Sequence, residues 1–154
     1  MGLDMYLTKK TCVKNWSYNA PKDVFKITVK KGGKPFKNID VKKIVYIEEE
    51  AGYWRKANMI HNWFVDNVQD GKDDCRDYYV DISKLEELLR ICKQVSKNHS
   101  VAEELLPSKS GFFFGDTDYD EWYYKDVEET IKLLEDILTK EGSKEAEYYY
   151  RSSW

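Results

Sequence analysis

The sequence predicts an α+β fold in a single domain over residues 1–154, with an antiparallel or mixed sheet from the N-terminal half plus a C-terminal strand, covered by about three helices. Three observations predict it. Two runs within the first fifty residues alternate apolar and polar with period two, the spacing changes to i, i+3, i+4 after Arg55, and an aromatic, strand-like run returns near the C-terminus. A chain of 154 residues buries roughly 70% of its unfolded surface without covalent staples, so one core suffices.

The elements follow in order. Leu3, Met5 and Leu7 alternate with Asp4, Tyr6 and Thr8, the period of a half-buried strand. Val24, Phe25, Ile27 and Val29 read as a second strand, closed by Lys31-Gly32-Gly33-Lys34, whose glycines suit a hairpin turn; residues 36–41 are its expected return. Ile44-Val45-Tyr46-Ile47 is β-branched and runs into Glu48, Glu49 and Glu50, as a buried strand emerging into solvent would. From Arg55, Ile60, Trp63, Phe64 and Val68 fall at helical spacing up to Asp70-Gly71. A second helix follows Asp81-Ile82-Ser83, with Ser83 and Glu86 at capping-box spacing and Leu85, Leu88, Leu89, Cys92 and Val95 as its stripe. A short piece over residues 101–106 stops at Pro107. A third long helix is expected from residues 118–120, turning Tyr124, Val127, Ile131, Leu134 and Leu138 inward and ending at Gly142. The run around Tyr148, Tyr149 and Tyr150 is expected to close the sheet beside an earlier strand.

Charge is unevenly distributed. Residues 1–43 carry eleven Lys and three Asp, whereas the rest carries fourteen basic and twenty-five acidic residues. The acidic balance, and the absence of Arg from the basic segment, disfavour a duplex-DNA reader. Cys12, Cys75 and Cys92 are odd in number and lack metal-ligand spacing, which supports neither a disulfide framework nor zinc and fits a reducing cytoplasm. No run approaches eighteen apolar residues and no signal-peptide pattern opens the chain, so no membrane partner is expected.

Two stretches concentrate chemistry. Residues 111–124 hold seven aromatics and four acids, and residues 52–64 set aromatics beside Arg, Asn and His. Arg55, Asn58 and Asn62 would share one stripe of a helix with His61 beside it, an edge suited to a planar, anionic, hydrogen-bonding ligand. Tyr53, Trp54, Phe113 and Tyr119 are the expected stacking partners, and Asp116 or Asp118 would accept from ribose hydroxyls. Asp116-x-Asp118-x-Asp120 imitates the start of a calcium loop, but Glu121 stands where Gly is needed and Val127 where Glu is needed, so a helix cap is the better reading and no metal is expected. Gly111 and Gly115 bracket Phe112, Phe113 and Phe114, at least one of which is either exposed or buried on both faces. Glycine-rich phosphate loops, nucleophile elbows and His-Glu-x-x-His motifs do not occur, and no cofactor is implied; only His61 and His99 could serve as near-neutral bases, and His61, with a carboxylate, is the candidate for a small hydrolase.

Met1-Gly2-Leu3-Asp4-Met5-Tyr6-Leu7, the block over residues 52–64, Glu104-Leu105-Leu106-Pro107, the stretch over residues 111–121 and the terminal Tyr149-Tyr150-Arg151-Ser152-Ser153-Trp154 together resemble a family of small proteins encoded by bacteriophages and prophages. The resemblance covers nearly the whole chain and carries no catalytic residue with it. It implies an accessory protein of the bacterial host cytoplasm, with antagonism of host defence as one role in that setting. The expected function is therefore to bind and sequester a small nucleotide-like molecule such as a host immune signal. The alternative is a protein-binding inhibitor of a host effector, whose Glu48 to Glu50 and Asp116 to Asp120 carboxylates imitate phosphates. A homo-oligomer with ligand sites at subunit boundaries would use both aromatic blocks.

Overall fold

Strand β1 (Asp4–Cys12) sets the frame, because its alternation is realised side chain by side chain: Met5 and Leu7 are fully buried, as is Leu3 just before them, while Tyr6, Thr8 and Lys10 point the other way. The structure, a computed structural model, describes residues 2–154; Met1, the first residue of the N-terminal motif, lies outside them. The remaining strands are β2 (Lys30–Lys31), β3 (Lys34–Pro35), β4 (Tyr46–Arg55), β5 (Tyr78–Val80) and β6 (Glu147–Ser153). The helices are α1 (Asn58–Asn67), α2 (Ile82–Lys97), the short α3 (Ala102–Leu105) and α4 (Glu121–Thr139).

The main sheet runs β4-β1-β6-β5, and every neighbouring pair is antiparallel. The chain is thus an α+β domain with an antiparallel sheet, and the C-terminal strand sits between β1 and β5 rather than at an edge. One face of the sheet, with Met5, Leu7, Trp54, Val80, Tyr148 and Tyr150, belongs to the core with the buried stripes of the helices. Phe64 of α1 stacks on Tyr150 at 4.0 Å between ring centroids, nearly parallel. Helices α2 and α4 are joined at their surface by the Lys93–Glu135 ion pair (2.7 Å) and a Ser96–Glu128 hydrogen bond. The opposite face carries Tyr6, Tyr53, Tyr79, Tyr149 and Arg151, and among the described residues no helix covers it.

Several elements differ from the sequence expectation. Residues 24–29 form no strand, because the Asn15 amide takes both the N–H and the C=O of Phe25 (2.8 Å each) and leaves no ladder to join. The glycine turn is real, with Gly32 and Gly33 both at positive φ, but the strands it joins have two residues each, and the return is Lys34–Pro35 rather than residues 36–41. Helix α1 begins at Asn58 instead of Arg55, because Gly52 to Arg55 remain paired with β1 through a register shift at Leu7/Thr8. Helix α2 is capped by Asp81 rather than Ser83: the Asp81 carboxylate accepts from both the N–H (2.9 Å) and the hydroxyl (2.6 Å) of Ser83.

The stripe of α2 is as expected except that Leu89 is only half-buried. The buried face of α4 is Tyr123, Val127, Thr130, Leu134 and Ile137. Tyr124, Ile131 and Leu138 are displaced to its flank because polar residues join the core face with their hydroxyls satisfied. Tyr123 donates to the Leu106 carbonyl (2.7 Å), and Thr130 donates to the Asp126 carbonyl (2.7 Å) while accepting from the Trp54 indole (2.9 Å). Among the described residues, no helix is long and apolar enough to cross a membrane.

Candidate functional site

A cleft of about 500 Å³ opens where β4 ends, α1 begins, and the loop before α4 folds back across them. Its construction starts at Lys56, which adopts φ +58°, a left-handed conformation unusual for lysine. Ala57 then forms an inverse γ-turn (φ −75°, ψ 71°), with the Asn58 N–H donating to the Lys56 carbonyl at 2.8 Å. The Lys56 N–H in turn donates to the Leu3 carbonyl (2.8 Å), so this reversal is fastened to the start of the sheet. Strand and helix therefore meet at a sharp corner that leaves Arg55 and Lys56 on one wall.

Asn58, nearly fully buried, also lines the cleft. Its Nδ2 donates to the carbonyls of Phe114 (3.2 Å) and Asp116 (2.7 Å), and its Oδ1 accepts from the Lys109 N–H (3.0 Å). One buried side chain thus ties down a loop that has few backbone partners of its own. Gly115, at φ +87°, passes so close to Lys56 that an added Cβ would lie 3.3 Å from its Cβ, and a Cβ on Gly111 would collide with the Phe114 ring at 2.5 Å. Both glycines are demanded by the fold of the loop. Of the bracketed rings, Phe114 is buried, Phe113 half-buried, and Phe112 is 95% exposed.

Four carboxylates line the same cleft as the cations. Asp120 caps α4, accepting from the N–H groups of Trp122 (3.0 Å) and Tyr123 (3.1 Å). Asp116 accepts from Thr117 (2.7 Å) and Asp118 (3.3 Å). Asp118 and Asp126 complete the set, and Trp122, 63% exposed, stands at the rim. Burial pushes the Asp126 carboxyl up to about 6, with the charge of Glu129 adding to it. Among the described residues no carboxylate forms an ion pair with Arg55 or Lys56. No cluster of three or more His, Cys, Asp or Glu side chains among the described residues is arranged to hold a metal ion.

Of the residues singled out from sequence, Arg55, Asn58, Asp116 and Asp118 converge on this cleft. Arg55 and Asn58 arrive from a strand end and a helix start, not from one helical stripe. Tyr119 supports the cleft from behind, its hydroxyl accepting from the Ser108 N–H (3.2 Å) and its ring lying 4.9 Å from Tyr123. Phe113 fastens the loop through its carbonyl, which accepts from the Leu3 N–H (3.1 Å).

The other residues lie elsewhere. Trp54 is a core residue whose indole is used internally, and Tyr53 lies on the uncovered sheet face, its hydroxyl donating to Asp4. Asn62 is buried within α1 and does not line the cleft. His61 is fully buried, with Nδ1 2.8 Å from the Tyr150 hydroxyl and Nε2 3.0 Å from Asp73. Burial lowers the His61 pKa, and the Asp73 carboxylate opposes that shift. Both ring nitrogens are occupied and the ring has no path to solvent, so the environment a base needs to reach a substrate is missing at His61.

Sequence reasoning passed over Lys56, Trp122 and Asp126. Lys56 left no signal, since lysine carries no preference for positive φ. Asp126 was legible only as one acid among many on α4, because its elevated pKa arises from packing. Comparison with protein families, curated proteins and solved structures finds no match for this chain.

Proposed function

We propose that the cleft binds a small nucleotide-like molecule and that the protein acts by holding it. The observation that carries this reading is the charge that lines one cleft: Arg55 and Lys56 share about 500 Å³ with Asp116, Asp118, Asp120 and Asp126, and among the described residues no ion pair joins the two sets. Charges held apart around a hollow of ligand size are available to a guest. Arg55 and Lys56 meet its anionic end, Asp118 and Asp126 accept from hydroxyl or amino groups, and Trp122 stacks on a flat ring. Four carboxylates against two cations select a ligand with many donors and one compact anionic group, and disfavour a bare polyphosphate. Phage encoding, action in the host cytoplasm and sequestration of a host immune signal complete the proposal; they rest on the family resemblance of the sequence.

His61, the base singled out from sequence, is buried away from the cleft, whereas Asp126, with its carboxyl raised to about 6, lines it, so the state of the recovered ligand separates holding from turnover. A thermal-shift screen against nucleoside monophosphates, cyclic nucleotides and ADP-ribose derivatives tests the reading, with the ligand recovered and analysed by chromatography. Stabilisation with intact ligand supports it, and altered ligand would replace sequestration by an enzyme. No shift across the panel would favour the inhibitor of a host effector, for which the exposed Glu48, Glu49 and Glu50 on β4 offer an acidic surface.

A further inference from the structure

Residues 13–45, the connection between β1 and β4, have the composition of a contact surface with nothing in contact. Only Val13 is buried, its N–H donating to the Val45 carbonyl (2.8 Å) as the last rung joining the two strands. Beyond it Trp16, Tyr18, Val24, Phe25 and Ile39 are exposed, and none belongs to the core cluster. The segment holds nine Lys and two Asp. It is nevertheless ordered, by the Asn15–Phe25 pair of hydrogen bonds, the stacked Trp16 and Tyr18 rings (6.0 Å) and the Gly32-Gly33 turn. A basic arm with aromatic side chains in water carries an apolar cost that a partner would remove.

A surface complementary to it lies on the same chain. The uncovered sheet face exposes Tyr53 and Tyr79, and a hollow of about 510 Å³ on it is lined by Tyr6, Thr8, Glu48, Glu49, Glu50, Asp77 and Arg151. Arg151 lies over the Tyr6 ring (5.5 Å to the centroid), Lys10 beside the hollow lies over Tyr46 (4.4 Å), and Glu49 pairs with Lys9 (3.8 Å), which leaves Glu48, Glu50 and Asp77 as the acids presented outward. No residue of the arm lines this hollow. We infer that the arm of a second copy occupies it, the hairpin tip with Lys30, Lys31 and Lys34 entering the acidic, tyrosine-floored hollow and the aromatic side chains covering the exposed tyrosines. Exchange in both directions gives a closed two-fold dimer with two identical contacts. This inference is independent of the ligand cleft.

The test uses two full-length variants whose substitutions are on exposed residues. In one, Glu50→Lys with Asp77→Lys reverses the face; in the other, Lys30→Glu, Lys31→Glu and Lys34→Glu reverse the arm. Circular dichroism checks that each is folded, and light scattering after size exclusion gives the mass at low salt. The wild type is expected to be a dimer that dissociates as salt rises. Each variant alone sets like charge against like and should dissociate roughly tenfold or more readily, whereas an equimolar mixture pairs reversed arm with reversed face and restores the dimer. A monomeric wild type, a dimer indifferent to both reversals, or a mixture no better associated than its parts would overturn the inference.

Discussion

Asn58 shows how one side chain sets the shape of the cleft. Replacing it by Asp keeps the size but removes both donors and sets an acid against the carbonyls of Phe114 and Asp116. Asn58→Asp is expected to cost about 3 kcal/mol, read from chemical denaturation, and to loosen the loop in hydrogen exchange at Lys109. Asp126 acts in the opposite sense. Its carboxyl titrates at about 6 in the folded protein, above the ordinary 3.8, so the folded state binds the proton more tightly and carries a penalty that grows from about pH 4 and is complete above pH 6. Asp126→Asn should therefore stabilise at pH 7 by about 1 kcal/mol, after allowing for partial exposure, and the gain should vanish as pH falls below 4. At this scale the sequence was legible in residue type more than in role. Asn58, Asn62 and His61 stood out as polar groups among aromatics, but whether such a group serves a ligand or its own backbone depends on contacts 12 to 89 residues away.

Among the elements, the strands and helices with one buried face were the most legible, because period alone encodes burial: Leu3, Met5 and Leu7 of the first run, and Leu85, Leu88, Cys92 and Val95 of α2, are all fully buried. Boundaries set by tertiary pairing were not legible. The aromatic run 52–55 stays in the sheet because β1 pairs with it as far as Arg55, and the corner at Lys56 depends on a hydrogen bond to Leu3 that no local pattern announces. The acidic run 116–120 predicts a helix start, and its last member supplies it: Asp120 caps α4 with two hydrogen bonds, while Asp116 turns the loop before it. Asp120→Ala is expected to cost about 1 kcal/mol. A calorimetric scan showing no loss would mean that Trp122 and Tyr123 find other acceptors.

For the whole molecule, the sequence supported the class but not the strand order. A C-terminal strand beside an earlier one is expected from sequence; burial of Tyr148, Tyr150 and Ser152 sets the face it turns to the core, whereas its position between β1 and β5 is set by pairing on both of its sides, which no periodicity encodes. Because β6 joins both sides of the sheet, removing residues 147–154 should abolish the cooperative thermal transition altogether, whereas loss of an edge strand would only lower it. The cleft and the arm lie at separate places on this scaffold, which lets ligand binding and self-association be tested apart. The central claim is that the Arg55–Lys56 wall receives the anionic end of a small nucleotide-like ligand. The most direct measurement is the thermal-shift panel run in parallel on the wild type and on the Arg55→Ala, Lys56→Ala double variant. A compound at ~100 times its dissociation constant should stabilise the wild type by about 2.7 kcal/mol and leave the folded variant unmoved. An equal shift in both proteins, or none in the wild type across the panel, would contradict it.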